Sequence, residues 1–257
     1  MLFRSSRDEI GQLAQSFDQM AVALQNIEEM RRDFIANVSH ELRTPMTSIR
    51  GFIEGILDGT IPPERQSYYL TIVRDETDRL NRLVNNLLDL ARMEAGELEL
   101  RPRVVNINEI IRVCIIKLEN LITSKQIQVE ANFDDENVFV SADPDAIERV
   151  IYNLVHNAIK FTPEGGSIAI GTVRKKDTVE ISVKDTGIGI DPNDMDMIWD
   201  RFYKADKSRS KDKVGTGLGL AIVKNIINEH NQQIWVESEP GKGTKFTFTL
   251  RKIENAE

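Results

Sequence analysis

The stretch Phe34-Ile-Ala-Asn-Val-Ser-His-Glu-Leu-Arg-Thr-Pro45, with the residues that follow it to Leu57, decides the first part of the fold. Its apolar residues recur at steps of three and four. They are Ile35, Val38, Leu42, Pro45, Ile49, Phe52 and Ile56. This heptad pattern predicts a helix that packs lengthwise against another helix. The helix is expected to end at Asp58-Gly59, because Pro62 and Pro63 follow and cannot continue it.

A second apolar seam with the same spacing lies downstream. Its members are Val73, Thr77, Leu80, Val84, Leu87 and Ala91. The two seams predict a helical hairpin, and a hairpin alone cannot enclose its apolar face. We therefore predict a homodimer in which two hairpins form a four-helix bundle. The alternative is that the hairpin packs against the second half of its own chain.

Length and composition narrow the class of protein. The chain has 257 residues, enough for one or two domains, and its 33 basic and 41 acidic residues give a net charge of −8. This acidic balance disfavours nucleic-acid binding, which is typical of basic surfaces. The lone cysteine, Cys114, excludes an internal disulfide and a cysteine-cluster metal site. The sequence has no run of about 18 apolar residues, so no membrane span is predicted within it.

From about residue 104 the pattern changes to strands that alternate with helices. Helices are predicted over 108–123, from Asp143-Pro144 to Phe161, and over 219–229. Asp is a favourable N-cap, and Pro suits the first helical position. Strands are predicted over 127–133, 138–140, 167–174, 178–184, 234–237 and 245–250. Helices over a mixed or antiparallel sheet make this half of the chain α+β.

His40 is the candidate nucleophile among the three histidines. The heptad of the first seam places it at position f, on the outward face of the bundle. A neutral imidazole can form a covalent intermediate, and the adjacent Glu41 is a candidate general base for its Nδ1 proton. Thr44 lies one helical turn further on the same face and is a candidate for orienting a water. His156 and His230 lack such neighbours and are interpreted as structural.

The second half carries three motifs that suit a nucleotide. Asn153, Asn157 and Lys160 share one face of a predicted helix, where carboxamide oxygens suit Mg²⁺ and a lysine suits phosphate. Asp185-Thr-Gly-Ile-Gly189 follows a strand, and a carboxylate there can accept a hydrogen bond from an exocyclic amine. Gly215-Thr-Gly-Leu-Gly219 leads into a helix, whose first amides suit phosphate. Between the two glycine segments, Lys204–Lys213 has five basic and two acidic side chains, a net charge of +3.

Taken in this order, the motifs resemble those of bacterial sensor histidine kinases. The box Phe34–Pro45 resembles the phosphoacceptor box, and the Asn153–Asn157 segment resembles the N box. The segments Asp185–Gly189 and Gly215–Gly219 resemble the two glycine boxes, and Arg201-Phe-Tyr-Lys204 resembles the F box. The resemblance spans roughly residues 25–252. One departure is His230-Asn-Gln-Gln233 where the family commonly has His-Gly-Gly; Asn231 can still adopt the left-handed conformation that the turn needs.

The resemblance implies a dimeric helical-hairpin domain followed by an α/β-sandwich ATP-binding domain. His40 would take the γ-phosphoryl group of ATP with Glu41 as base, and the phosphoryl group would pass to an aspartate of a response regulator. Glu41 and Thr44 match a pattern that also supports dephosphorylation of that regulator. Asn157 would bind Mg²⁺ and Asp185 the adenine amine. The implied nucleotide site comprises Asn153, Asn157, Lys160, Phe161, Asp185, Gly187, Gly189, Phe202, Lys204, Gly215, Thr216, Gly217, Leu218 and Gly219.

The expected organisation has four parts. Residues 1–24 resemble the C-terminal helix of a HAMP signal-transfer module, 25–98 form the phosphoacceptor hairpin, 99–252 form the ATP-binding domain and 253–257 are a tail. This suggests the cytoplasmic portion of a bacterial membrane receptor, with any membrane contact made by an upstream segment. Two rival functions stay open: an ATP-driven conformational clamp without phosphohistidine, and an enzyme that acts mainly as a regulator phosphatase.

Overall fold

The computed structural model describes residues 9–95, 99–204 and 216–253. The chain divides into two compact units, Met1–Leu83 and Val84–Glu257. The division falls inside the second long helix, earlier than the domain limit of 98 expected from the sequence. No helix in the described part of the chain has both the length and the apolar character that crossing a bilayer requires.

The first unit is built from α1 (Glu9–Leu57) and most of α2 (Pro63–Glu94). The loop between them is tight, because Gly59 has a φ of +79° and the N–H of Ile61 donates to the carbonyl of Gly55 at 2.7 Å. Ile61 is buried and packs on Gly55, where a β-carbon would lie 3.1 Å from its Cδ1 atom. The helix–loop–helix prediction is therefore confirmed.

The residues of the two predicted seams differ in how far they are buried. In α1, Pro45 is buried and the other members are half-buried, except Ile35, which is exposed. In α2, three predicted members are exposed in the single chain: Thr77, Val84 and Ala91. The buried positions include Leu83 and Leu90 instead. A seam through Leu83 and Leu90 and the predicted seam both contain Val73, Leu80 and Leu87. The sequence pattern alone did not distinguish these two heptad registers.

The second unit is a mixed sheet covered by helices. The strands are β1 (Arg103–Asn106), β2 (Gln128–Phe133), β3 (Phe139–Ala142), β4 (Ser167–Arg174), β5 (Thr178–Asp185), β6 (Ile234–Glu239) and β7 (Gly243–Lys252). Their order is β1-β3-β7-β5-β4-β2, with β6 also paired to β7. The β2–β4 pair is parallel, and the remaining pairs are antiparallel. The α+β prediction is therefore confirmed.

In the part of this unit that the structure describes, four helices accompany the sheet: α3 (Ile107–Lys117), α4 (Glu119–Ser124), α5 (Pro144–Phe161) and α6 (Gly219–Glu229). A short 3₁₀ turn also occurs at Met197–Trp199. The long helix α5 buries one apolar face, including Val150 and Leu154, while every second residue is buried in β5 and in β4 as far as Thr172. The Asp143 side chain caps α5 by accepting from the N–H of Ala146 at 3.0 Å, as predicted.

Two elements differ from the predictions. The single helix over 108–123 is wrong, because the chain breaks into α3 and α4 at Leu118, where φ is −102° and ψ is 2°. The Leu118 N–H donates to the carbonyls of both Cys114 and Ile115, which tightens the last turn of α3. The strand β1 was not predicted; it is short, lies at the edge of the sheet and pairs with β3.

Candidate functional site

The His40 side chain lies on the exposed surface of α1, as the heptad predicts. Among the described residues, none makes a hydrogen bond to its imidazole ring. Thr44, one turn further along α1, donates its hydroxyl hydrogen to the backbone carbonyl of His40 at 3.2 Å. Back-bonding of this kind leaves the oxygen lone pairs of Thr44 as acceptors, so the predicted orientation of a water stays chemically feasible.

Glu41 is joined to α2 by an ion pair that the sequence reasoning missed. Arg79 Nη2 donates to Glu41 Oε2 at 3.2 Å, across 38 residues of chain. The two side chains are only 14% and 15% exposed. Arg79 Nη1 also lies 3.5 Å from Glu76 Oε2, one helical turn earlier on α2. The guanidinium group is therefore held between carboxylates of both helices of the hairpin.

The side chains of Asn153 and Asn157 project from α5, and both are half-buried. The Asn153 amide nitrogen donates to the backbone carbonyl of Arg149 at 3.0 Å. Its Oδ1 atom lies against the start of α6, 3.2 Å from where a β-carbon on Gly219 would be. The structure thus brings the N box and the second glycine box together.

Asn157 has the free ligand atom that a magnesium ion requires. No hydrogen bond ties its carboxamide to any other residue that the structure describes. A carboxamide oxygen is a hard ligand, and Mg²⁺ commonly takes one or two protein oxygens and completes its shell with phosphate and water. No cluster of three or more His, Cys, Asp or Glu residues suited to a metal occurs in the described ranges. The single carboxamide oxygen of Asn157 suits a shell that phosphate and water complete.

Asp185 is buried at the end of β5. Its Oδ1 atom accepts hydrogen bonds from the backbone N–H groups of Gly187 at 2.7 Å and Thr244 at 3.2 Å. Burial raises the pKa of the Asp185 carboxyl, and these two hydrogen bonds oppose that rise. Two fixed donors hold the plane of the carboxylate, whose other oxygen has the acceptor capacity that an adenine amine needs.

The first glycine box passes close to neighbouring backbone. A β-carbon on Gly187 would lie 2.6 Å from the carbonyl oxygen of Phe161, at the end of α5. Gly189 has a φ of +71°, and a β-carbon there would lie 2.1 Å from the carbonyl oxygen of Glu239. A side chain at either position would clash with main chain, so Gly187 lets the segment pass close to the end of α5 and Gly189 lets it pass close to the end of β6.

The F box and the second glycine box also meet. The Phe202 N–H donates to the carbonyl of Gly217 at 2.9 Å, and both residues have positive φ, of +61° and +70°. A β-carbon on Gly217 would lie 2.6 Å from Phe202 Cα. Next to them, the Tyr203 hydroxyl donates to Asp194 Oδ1 at 2.6 Å, and this hydrogen bond raises the pKa of Tyr203 to about 12.

The remaining predicted residues surround this cluster or lie outside the described ranges. Lys160 Nζ lies 4.6 Å from the ring centroid of Phe161, a cation–π contact at the end of α5. Lys204 is exposed, Thr216 is half-buried and Leu218 is fully buried at the start of α6. Gly215 and most of the lysine-rich segment lie outside the described residues. Leu218 has no side-chain cap, so the first amides of α6 lack a side-chain acceptor from that residue.

Three family models match the chain in succession. The HAMP domain matches residues 2–26, and the His Kinase A (phospho-acceptor) domain matches residues 30–96. The family of histidine kinase-, DNA gyrase B- and HSP90-like ATPases matches residues 142–254. The last two matches contain His40 and the nucleotide cluster respectively.

Known sensor proteins resemble the chain. Sensor histidine kinase WalK of Bacillus subtilis is 37% identical over 91% of the chain, and sensor protein SrrB of Staphylococcus aureus is 43% identical over 89%. The chain spans only 38% and 39% of these relatives' lengths.

Solved structures of histidine kinase ThkA are similar as well. Its catalytic domain is 33% identical, with a TM-score of 0.53, over 59% of this chain and 96% of that one. ThkA in complex with the response regulator protein TrrA is 29% identical, with a TM-score of 0.69, over 96% of this chain and 68% of that one.

Proposed function

Because the chain belongs to the bacterial sensor histidine kinases, we propose that it binds ATP in the Val84–Glu257 unit and phosphorylates itself on His40. The observation that carries this proposal is the convergence of four sequence motifs. The four motifs are scattered over residues 153–219, yet the N box and the F box both lie against the second glycine box, and the first glycine box lies against the end of α5. An exposed histidine with an adjacent carboxylate supplies the acceptor.

The proposed reaction is an in-line displacement at the γ-phosphorus atom. His40 Nε2 forms a bond to phosphorus while the bond from phosphorus to the β,γ-bridging oxygen breaks, and ADP leaves. Glu41 accepts the Nδ1 proton, so the phosphorylated imidazole is neutral at the ring. Asn157 would hold Mg²⁺ together with the phosphates, and the ion would supply neutralisation of the charge that develops on them. Asn153 and Lys160 position the phosphates, and Asp185 accepts a hydrogen bond from the adenine amine.

The proposal also covers the partners of the chain, the roles of its domains and its location in the cell. The phosphoryl group passes from His40 to an aspartate of a response regulator, and the solved ThkA–TrrA complex supports such a partner. Thr44 and Glu41 also support dephosphorylation of that regulator. Two chains form a four-helix bundle through their hairpins, and 25–98 and 99–252 act as the phosphoacceptor and catalytic domains. The HAMP match supports a role on the cytoplasmic side of a membrane receptor.

The experiment is incubation of the purified chain with Mg²⁺ and ATP labelled at the γ-phosphate. We expect protein-bound label that is stable in alkali and lost in acid, as a phosphohistidine is. His40→Ala is expected to lose the label, while His156→Gln, which keeps α5 helical, retains it. Undiminished labelling of His40→Ala would rule out this acceptor, and ATP binding without any label would favour the conformational clamp.

A further inference from the structure

The helix geometry of α1 does not by itself bring Glu41 onto His40. Consecutive residues of an α-helix point about 100° apart around the axis, so neighbours in sequence do not face each other. A carboxylate that serves the His40 ring must therefore be directed by a contact outside the residue pair. The ion pair with Arg79 on α2 is such a contact.

This ion pair is unlike the surface pairs of the hairpin. The Glu41 and Arg79 side chains are 15% and 14% exposed, whereas Arg74 and Asp75 on the same helix are 70% and 61% exposed. Exposed pairs are screened by water and fix little geometry, while a pair shielded from water holds its groups in place. The pair joins residues 38 positions apart, so it depends on the packing of α2 on α1.

Glu76 restrains the arginine from the other side. Its Oε2 atom lies 3.5 Å from Arg79 Nη1, and the same oxygen is buried without a hydrogen bond from any described residue. An arginine between two shielded carboxylates has little freedom to leave either one. Because the guanidinium is planar and contacts Glu41 through Oε2, it also limits the positions open to Oε1 of the same carboxylate.

We propose that Arg79 is a positioning residue for phosphoryl transfer, holding the Glu41 carboxylate in the orientation from which it takes the proton of His40. The inference rests on the proposed function, since it assumes that His40 is phosphorylated. Arg79 acts through Glu41, so the base is assembled from both helices of the hairpin.

The test is a double-mutant cycle on the whole chain, read as the rate of His40 labelling from ATP. Arg79→Met is expected to lower the maximal rate at least about tenfold, within the range that a misplaced general base costs. The apparent KM for ATP should stay within about twofold, since Arg79 lies in the other unit. In a Glu41→Gln background, Arg79→Met should change the rate by less than about twofold, because the group it positions is gone.

Companion variants separate positioning from folding. Arg79→Met leaves Glu41 and Glu76 facing each other, so it is also made with Glu76→Gln, and thermal unfolding by circular dichroism checks the hairpin. Arg79→Lys keeps the charge and should recover part of the rate. Arg74→Ala removes an exposed ion pair from the same helix and is the matched control, with an unchanged rate.

The outcomes are distinct. The proposal is overturned if Arg79→Met labels at the wild-type rate or faster, or if it slows labelling equally with and without the Glu41 carboxylate. A loss of labelling that parallels unfolding in every Arg79 variant, with no recovery in Arg79→Lys, also overturns it, because the role is then structural. Labelling that survives His40→Ala would instead refute the proposed function itself.

Discussion

At Asp185, the proposed recognition of adenine and the stability of the folded chain favour different side chains. Its carboxyl is buried, and burial raises its pKa, so the charged form is disfavoured in the folded chain. The same charged form is what an exocyclic amine needs as an acceptor. An amide at this position keeps an oxygen for the N–H groups of Gly187 and Thr244 but replaces the other carboxylate oxygen with a donor.

We therefore predict that Asp185→Asn stabilises the nucleotide-free protein while it weakens ATP binding. The melting temperature near pH 7 should rise by about 2 °C or more, the change that roughly 1 kcal/mol produces in a domain of this size. ATP affinity should fall at least about tenfold with the loss of a hydrogen bond to a charged group. Differential scanning calorimetry and isothermal titration calorimetry measure the two effects, with the exposed Asp177→Asn as control.

The pH dependence of this difference has a definite sign. A carboxyl whose folded-state pKa is raised binds a proton more readily when folded, so the wild type gains stability as the pH falls through that pKa. The advantage of Asp185→Asn should therefore shrink between pH 7 and the acid range. An advantage that grows as the pH falls, or an unchanged ATP affinity, would be inconsistent with the assigned role.

Some single residues were predictable from the sequence and others were not. Asn231 does adopt the left-handed conformation expected of it, with a φ of +55°. His230 is structural, as predicted: its Nδ1 atom lies 2.8 Å from the Ile226 carbonyl and its Nε2 accepts from the Asp143 N–H at 3.1 Å. Arg79 was missed, because its importance lies in a contact with a residue 38 positions away, which local spacing does not encode.

At the scale of elements, strong local signals gave accurate bounds. An Asp N-cap and a Pro at the first position fixed the start of α5, and alternation fixed β4. The sequence did not predict the break between α3 and α4 at Leu118, because the apolar spacing continues across it. Within one chain, α2 buries Leu83 and Leu90 rather than Thr77, Val84 and Ala91, and local spacing does not distinguish the two heptad registers because they share half their members.

A link between α2 and α5 is a second feature that the sequence did not predict. Within the Val84–Glu257 unit, the Arg149 guanidinium pairs with Asp89 and donates to Asn86 Oδ1 at 3.1 Å. Its side chain and that of Asp89 are about one-quarter exposed. The backbone carbonyl of Arg149 also accepts from Asn153, so one residue joins the end of α2 to the N box.

We predict that Asp89→Arg lowers the melting temperature of this unit and raises the KM for ATP several-fold. The substitution places two shielded positive charges together, at a cost of about 1–3 kcal/mol. The swapped double variant Asp89→Arg with Arg149→Asp should recover most of both losses. The control is Glu148→Ala on the same helix as Arg149, which removes a more exposed ion pair with Lys117 of α3. If the swapped double variant has the same melting temperature and KM for ATP as Asp89→Arg alone, the ion pair is not the cause of the losses.

At the scale of the whole molecule, the two halves of the proposed reaction lie in different units. His40, Glu41 and Thr44 belong to Met1–Leu83, and the nucleotide cluster belongs to Val84–Glu257. The first unit also leaves large apolar side chains exposed along α1. They are Leu13, Phe17, Met20, Val22, Leu24, Ile35, Met46, Ile53 and Leu57. An uncovered apolar stripe of this length supports the proposed homodimer, since two hairpins would bury it.

The central claim is that ATP bound at the α5–α6 cluster delivers its γ-phosphoryl group to His40. The most direct measurement is residue-level mapping of the phosphoryl group by mass spectrometry after incubation with Mg²⁺–ATP, with peptides kept at alkaline pH. We predict phosphate on the imidazole of His40. We also predict that this phosphate is lost in Asn157→Ala, a variant that keeps His40 itself. Phosphate on any other residue, or undiminished phosphate on His40 in Asn157→Ala, would contradict this account.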